Sequence, residues 1–238
     1  MYEHSVLNTC CSKRICDGCN LAAQKRGMKD CAFCRSPFAK NDGDELSRVQ
    51  ARASKDDPVA IFNLGKLHYH GGLGLRRDAR RAAELYAKAA ELGSVDALHL
   101  LGGCHDDGVG VKQDMPKSIQ LYERAAMRGH PESRYNLGTI EGKGGDYRRA
   151  TRHLPISAGM GDDDSLGTIR RMFAAGVATR EEYARALRGY DTGTPRRRRG
   201  AARGTTRGRS RRVEASWAEE CDEHWSHVLI TPLEFDIE

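Results

Sequence analysis

Three consecutive stretches of this chain repeat one pattern: PVAIFNLGKLHYHGGLGLRRDARRAAELYAKAAELG (58–93), SVDALHLLGGCHDDGVGVKQDMPKSIQLYERAAMRG (94–129) and HPESRYNLGTIEGKGGDYRRATRHLPISAGMG (130–161). The shared frame is Ala-x-x-x-Leu-Gly, a Gly-rich turn, an Asp, a basic residue with Ala, then Tyr, Ala-Ala and Gly. A period near 36 residues, in which glycines separate two amphipathic helices, marks a helical solenoid, because no single unit can bury its apolar face alone.

Each position in the frame has a physical task. Leu64-Gly65, Leu101-Gly102 and Leu137-Gly138 set a large anchor beside a residue without a side chain, so a neighbouring helix can approach closely. Asp78, Asp114 and Asp146 stand just before the second helices, where a carboxylate caps free N–H groups. Ala89-Ala90, Ala125-Ala126 and Ala158 form a small packing face, and Gly93, Gly129 and Gly161 are left-handed stops. The third copy has lost several residues from its turn. A weaker fourth copy spans 162–190; Leu166, Ile169 and Phe173 pack it on the third, and Tyr183, Leu187 and Tyr190 close the array. Pro155 falls inside a second helix and is expected to kink it. Eight antiparallel helices are expected over 58–190.

This frame resembles the Sel-1-like repeat, a relative of the tetratricopeptide repeat. The resemblance implies a concave, extended surface that grips a peptide or a folded client protein. No catalytic constellation emerges from the repeats. His68, His70, His99, His105 and Asp106-Asp107 fall on helix ends and turns and are expected to be solvated. Cys104 reads as a small buried hydrophobe.

Six of the eight cysteines crowd into the first 34 residues. The N-terminus lacks the apolar core of a secretory signal, and no run of about 18 apolar residues is present. The expected setting is therefore cytoplasmic or nuclear, without membrane contact, where clustered thiols bind metal more often than they form disulfides. Cys16-x-x-Cys19 and Cys31-x-x-Cys34 have zinc-knuckle spacing. A redox C-x-x-C would sit in a βαβ setting, and none surrounds either pair.

CCSKRICDGC followed by CAFCRSP is similar to the later part of a RING finger, which reads Cys-x-His-x-x-Cys-x-x-Cys and then Cys-Pro-x-Cys-Arg-x-Pro. The family's first C-x-x-C is absent, Lys13 stands where the histidine ligand usually lies, and Ala32 replaces the proline. The chain thus offers ligands for one full zinc site, drawn from Cys10, Cys11, Cys16, Cys19, Cys31 and Cys34. Cys31 and Cys34 are joined either by Cys16 and Cys19, as in a ribbon, or by Cys10 and Cys11, as the RING cross-brace demands; His4 is a spare ligand. The resemblance further implies that Ile15, Arg35 and Pro37 meet a ubiquitin-conjugating enzyme. At most the chain would be a RING-type ubiquitin ligase, a transferase without a covalent intermediate.

The net charge of +6 conceals a segregation. Residues 192–213 hold nine arginines and no acid, whereas 214–238 hold eight acids and no Lys or Arg. Such a Gly/Arg/Thr run cannot bury enough apolar surface to fold, and Arg196, Arg197, Arg198 and Arg199 are its candidate contact with nucleic-acid phosphates. Without interleaved aromatics it has no stacking platform. The acidic segment carries no assigned function.

The expected organisation is an all-α solenoid of Sel-1-like helical hairpins (58–190). A partial RING-like zinc finger (1–42) and a linker (43–57) precede it, and a disordered Arg-rich then acidic tail (191–238) follows. Its expected function is a protein-interaction scaffold with ubiquitin-ligase ancestry in its first 42 residues, the alternative being an active ligase whose repeats recruit substrate.

Overall fold

The computed structural model describes residues 5–193. These belong to one unit. The expectations for His4, for Arg196–Arg199 and for most of the Arg-rich and acidic tail lie outside the described residues.

Eight helices follow one another as the repeats require: α3 (Pro58–His70), α4 (Ala79–Glu91), α5 (Val95–Asp107), α6 (Met115–Met127), α7 (Pro131–Lys143), α8 (Tyr147–Gly159), α9 (Asp163–Ala174) and α10 (Arg180–Gly193). The capping carboxylates act as expected. Asp78 Oδ1 accepts from the Arg81 N–H at 2.8 Å, Asp114 Oδ1 from Lys117 at 3.0 Å and Asp146 Oδ1 from Arg149 at 3.0 Å. The lost turn of the third copy is visible as three residues between α7 and α8, where eight separate α3 from α4. Pro155 is buried in α8, which continues through it to Gly159.

Within each hairpin the second helix drives a ring into the first. A Cβ on Gly65 would lie 2.7 Å from Tyr86 Cε1, and one on Gly102 would lie 2.8 Å from Tyr122 Cε1. The glycine leaves the space that the tyrosine fills, and both rings are almost fully buried. In the third copy the partner is Leu154, 3.0 Å from the equivalent Cβ of Gly138. The fourth has no such contact, for nothing lies within 4 Å of a Cβ on Gly167.

Residues 43–57, expected as a linker, instead carry α2 (Asp42–Ala53). Asn41 Oδ1 caps it through the Asp44 N–H at 2.9 Å, and Asp42, Asp44 and Glu45 favour its first turn. This helix is the second half of a hairpin. After α4, the Ser94 N–H donates to the Ala89 carbonyl at 2.9 Å; the equivalent bonds are His130 to Ala125 at 3.1 Å and Asp162 to Ser157 at 3.2 Å. After α2, Asp57 donates to Arg52 at 3.4 Å. Val49 thus occupies the place of Tyr86, Ala53 that of Ala90, and Asp56, with φ +56°, that of Gly93. Helix α2 packs on α3 as extensively as α4 packs on α5. The solenoid begins with a half-repeat at residue 42.

Ahead of it lie a β-hairpin, β1 (Ser5–Asn8) and β2 (Lys13–Cys16), and a short helix α1 (Asp17–Lys25). The strands pair antiparallel with Asn8 opposite Lys13. In residues 5–41 only Asn8 and Cys31 are buried among those described.

Candidate metal centre

The hairpin connection presents the first two sulfurs. The Asn8 carbonyl accepts the N–H groups of Cys11 at 3.2 Å and Ser12 at 2.8 Å, and Ser12 turns left-handed at φ +56°. This tight loop projects Cys10 and Cys11 towards a second turn, Cys31–Arg35. There the Cys31 N–H donates to the Ser36 carbonyl at 2.8 Å, the Arg35 N–H donates to the Cys31 carbonyl at 3.0 Å, and Arg35 takes φ +59°. The Phe33 N–H points at Cys31 Sγ at 3.5 Å, the backbone-to-sulfur contact of a knuckle.

The two loops bring four thiols together. Cys10 Sγ and Cys34 Sγ are 3.3 Å apart, Cys11 Sγ and Cys31 Sγ 3.7 Å, and all four sulfurs lie within 4.8 Å of one another. A tetrahedral ion with metal–sulfur bonds of about 2.3 Å needs sulfurs about 3.8 Å apart, so the donor set fits zinc. The Ser36 hydroxyl and N–H, then Cys10, push the Cys34 thiol down to about 6. Burial, then Cys34 and Cys31, pushes the Cys10 thiol upward, and burial raises Cys11. Cys34 is poised as thiolate, and a cation is what would allow the others to join it.

Of the six cysteines read from the sequence, the structure gathers Cys10, Cys11, Cys31 and Cys34, the cross-brace grouping. Cys16 and Cys19 stand apart, exposed, at the start of α1, where Cys16 Sγ accepts the Cys19 N–H at 3.2 Å. Cys16 ends a strand and caps a helix, yet its sheet is a two-stranded hairpin and not a βαβ unit. Ile15 is half-buried opposite Val6, while Arg35 and Pro37 are exposed or nearly so. Val6, Leu21, Phe33 and Phe38 are exposed on the same module.

Arg52, which sequence reading passed over, ties this module to the solenoid. Its Nε donates to Asp57 Oδ2 at 2.7 Å and to Ser12 Oγ at 3.1 Å, and its Nη1 to the Cys10 carbonyl at 3.5 Å. Asp57 Oδ1 meanwhile caps α3 through the N–H groups of Val59 at 3.0 Å and Ala60 at 3.4 Å. Burial opposes the Asp57 charge, but Ser12, Arg52 and the two N–H groups hold its carboxyl below the usual range.

His70 is exposed as expected, but the other repeat histidines depart from the solvated reading. His105 is buried, and the Nδ1 atoms of His68 and His105 have no hydrogen-bond partner among the described residues. His99 stacks on His130 at 4.5 Å, with its Nδ1 2.9 Å from Ser133 Oγ. Burial, then the His130 charge, pushes His99 down to about 4. His130 escaped notice from sequence, although it occupies the slot of Asp57, Ser94 and Asp162: its Nδ1 accepts the Ser133 N–H at 3.2 Å and caps α7. Alignment of the slot before each first helix reveals it.

Residues 58–94 and 95–130 match the family model described as Sel1 repeat. Among solved structures, a Sel1 repeat protein from Oxalobacter formigenes aligns with a TM-score of 0.53 at 25% identity, covering 63% of each chain. A protective antigen of uropathogenic Escherichia coli strains, displaying an SLR fold, aligns with a TM-score of 0.55 at 23% identity, over 65% of this chain and 34% of that one. The chain therefore spans less than two thirds of the length of either. No curated protein matches. The class is a helical-repeat solenoid, and within it residues 58–130 are similar to the Sel1 repeat. No helix among the described residues is long and apolar enough to cross a membrane.

Proposed function

We propose that the chain is a protein-interaction scaffold whose Sel1 solenoid holds a client protein and whose first half-repeat carries a single-zinc module of four cysteines. One observation carries this reading: a continuous stack of helices from residue 42 to 193 begins beside a four-sulfur cluster. Cys10, Cys11, Cys31 and Cys34 would hold the ion. Bound zinc supplies the positive charge that keeps four thiolates together and cross-links two loops lacking an apolar core.

The client is tested with hydrogen exchange on the full chain and a partner purified with it. Protection should fall on the exposed faces of α3–α10 in a one-to-one complex. Protection confined to residues 5–41 would overturn the scaffold reading.

A RING-type ligase is the second reading, and the grouping of Cys10 and Cys11 with Cys31 and Cys34 is what favours it. Against it, Cys16 and Cys19 gather no further ligand among the described residues. This chain is expected to build little or no ubiquitin chain with a panel of conjugating enzymes; robust synthesis that Arg35→Ala abolishes would replace the first reading with the second.

A further inference from the structure

The half-repeat contains a substitution that packing alone does not explain. At the position of Arg52 the second helices α4, α6 and α8 carry Ala89, Ala125 and Ser157, each fully buried and small. An arginine there gives up the small packing face for a side chain that reaches out of the helix row. Its three hydrogen-bond acceptors belong to two different parts of the molecule: Ser12 Oγ and the Cys10 carbonyl in the cysteine loop, and Asp57 at the N-terminus of α3. Asp57 uses one oxygen for Arg52 and the other for the α3 cap. The ligand loop and the first full repeat thus share one guanidinium.

We propose that Arg52 is the positioning residue of the cysteine site, holding the Cys10–Ser12 loop in its ligating shape and coupling metal occupancy to the capping of α3. The inference rests on the reading of Cys10, Cys11, Cys31 and Cys34 as a metal site. Arg52 acts through the Cys10 carbonyl and the Ser12 hydroxyl, as hydrogen-bonded partners of metal ligands commonly do. Guanidinium geometry matters, since Arg52 meets its acceptors from two different nitrogens of a planar fork, Nε and Nη1, whereas an ammonium would have to reach all three from one point. Coupling of this kind is reciprocal: whatever affinity for metal the capped α3 confers on the loop, bound metal returns as protection of α3.

The test uses the full chain and zinc alone, with affinity read by competition against a chromophoric chelator and site geometry by the absorption bands of the cobalt-substituted protein. Wild type should bind one zinc. Arg52→Ala should bind about tenfold more weakly, as loss of such a partner typically costs about 10- to 100-fold. Arg52→Lys, which keeps the charge beside Asp57, should retain the unfolding midpoint of the solenoid yet lose most of the same affinity. Ser12→Ala, which leaves α2 untouched, should weaken binding in the same direction. Exchange protection at Ile61–Leu64 should rise on zinc addition in wild type and not in Arg52→Ala. If wild type binds zinc and both Arg52 variants bind it equally well, the coupling is wrong and the metal site stands; if wild type binds none, both fall.

Discussion

The cysteine module and the repeats solve the problem of a small core in opposite ways. From α3 to α8 each hairpin buries alanines, a tyrosine or leucine against a glycine, and a capped helix start, so order arises from many small contacts repeated with the period of the sequence. Among the described residues of 5–41, only Asn8 and Cys31 are buried, and Val6, Leu21, Phe33 and Phe38 are exposed. The shape of this segment is written in turns, sulfurs and one arginine from the neighbouring helix. With so few buried apolar groups it needs a staple, whereas a solenoid needs only neighbours.

The contrast is broken most forcefully by removing the staple. Cys31→Ser should abolish zinc binding in native mass spectrometry and erase amide protection over residues 5–41, since structural zinc contributes on the order of 10 kcal/mol. Far-ultraviolet circular dichroism should still report the helices of 58–193. Collapse of the helical signal would show that the repeats depend on the module.

Acid should act on the repeats as well as on the thiolates. His99 is held neutral in the fold down to about pH 4, while in the unfolded chain it takes a proton near 6.5. The unfolded state therefore binds more protons between those values, and stability present above 6.5 is lost as pH falls towards 4, by up to about 3 kcal/mol. Urea titrations at successive pH values should show this slope. His99→Phe, which installs the residue that the first copy carries as Phe62, should flatten it.

Packing of rings on glycine is probed by Gly102→Ala, whose Cβ would meet Tyr122 at 2.8 Å. A loss of about 1–3 kcal/mol is expected from overpacking. The same change at Gly167, where nothing lies within 4 Å, should instead stabilise by up to about 1 kcal/mol through helix propensity. Equal effects at the two positions would remove the ring-on-glycine argument. The smallest effect is expected from Asp114→Ala, which deletes the cap of α6 and should lower stability by about 1 kcal/mol in the same assay.

Much of the solenoid was legible because its determinants are local and repeated: capping aspartates, paired alanines and glycines recur at fixed offsets. Helix α2 was not, because Arg52 replaces an alanine and Asp56 a glycine, so the half-repeat lacks the letters that identify its siblings. The cysteine spacing pointed to a cluster able to hold a metal but not to its partition, which depends on how the 9–12 turn folds towards residues 31–34. The histidines misled for a related reason. His99 is covered here by His130 and Ser133 of the next hairpin, and burial across repeats leaves no mark at short range.

The far end of the array differs from its interior. Helix α10 packs more extensively on α8 than on its own partner α9, and the two cross where Gly159 and Gly189 approach so closely that a Cβ on Gly189 would lie 3.2 Å from Gly159 Cα. A crossing of that kind joins two helices through glycine backbone, where the interior hairpins set a ring or a leucine on the glycine. Tandem duplication of this last described unit would place a glycine contact where the interior hairpins use a tyrosine or a leucine, so a longer array is better designed by copying an interior hairpin than by copying α9 and α10.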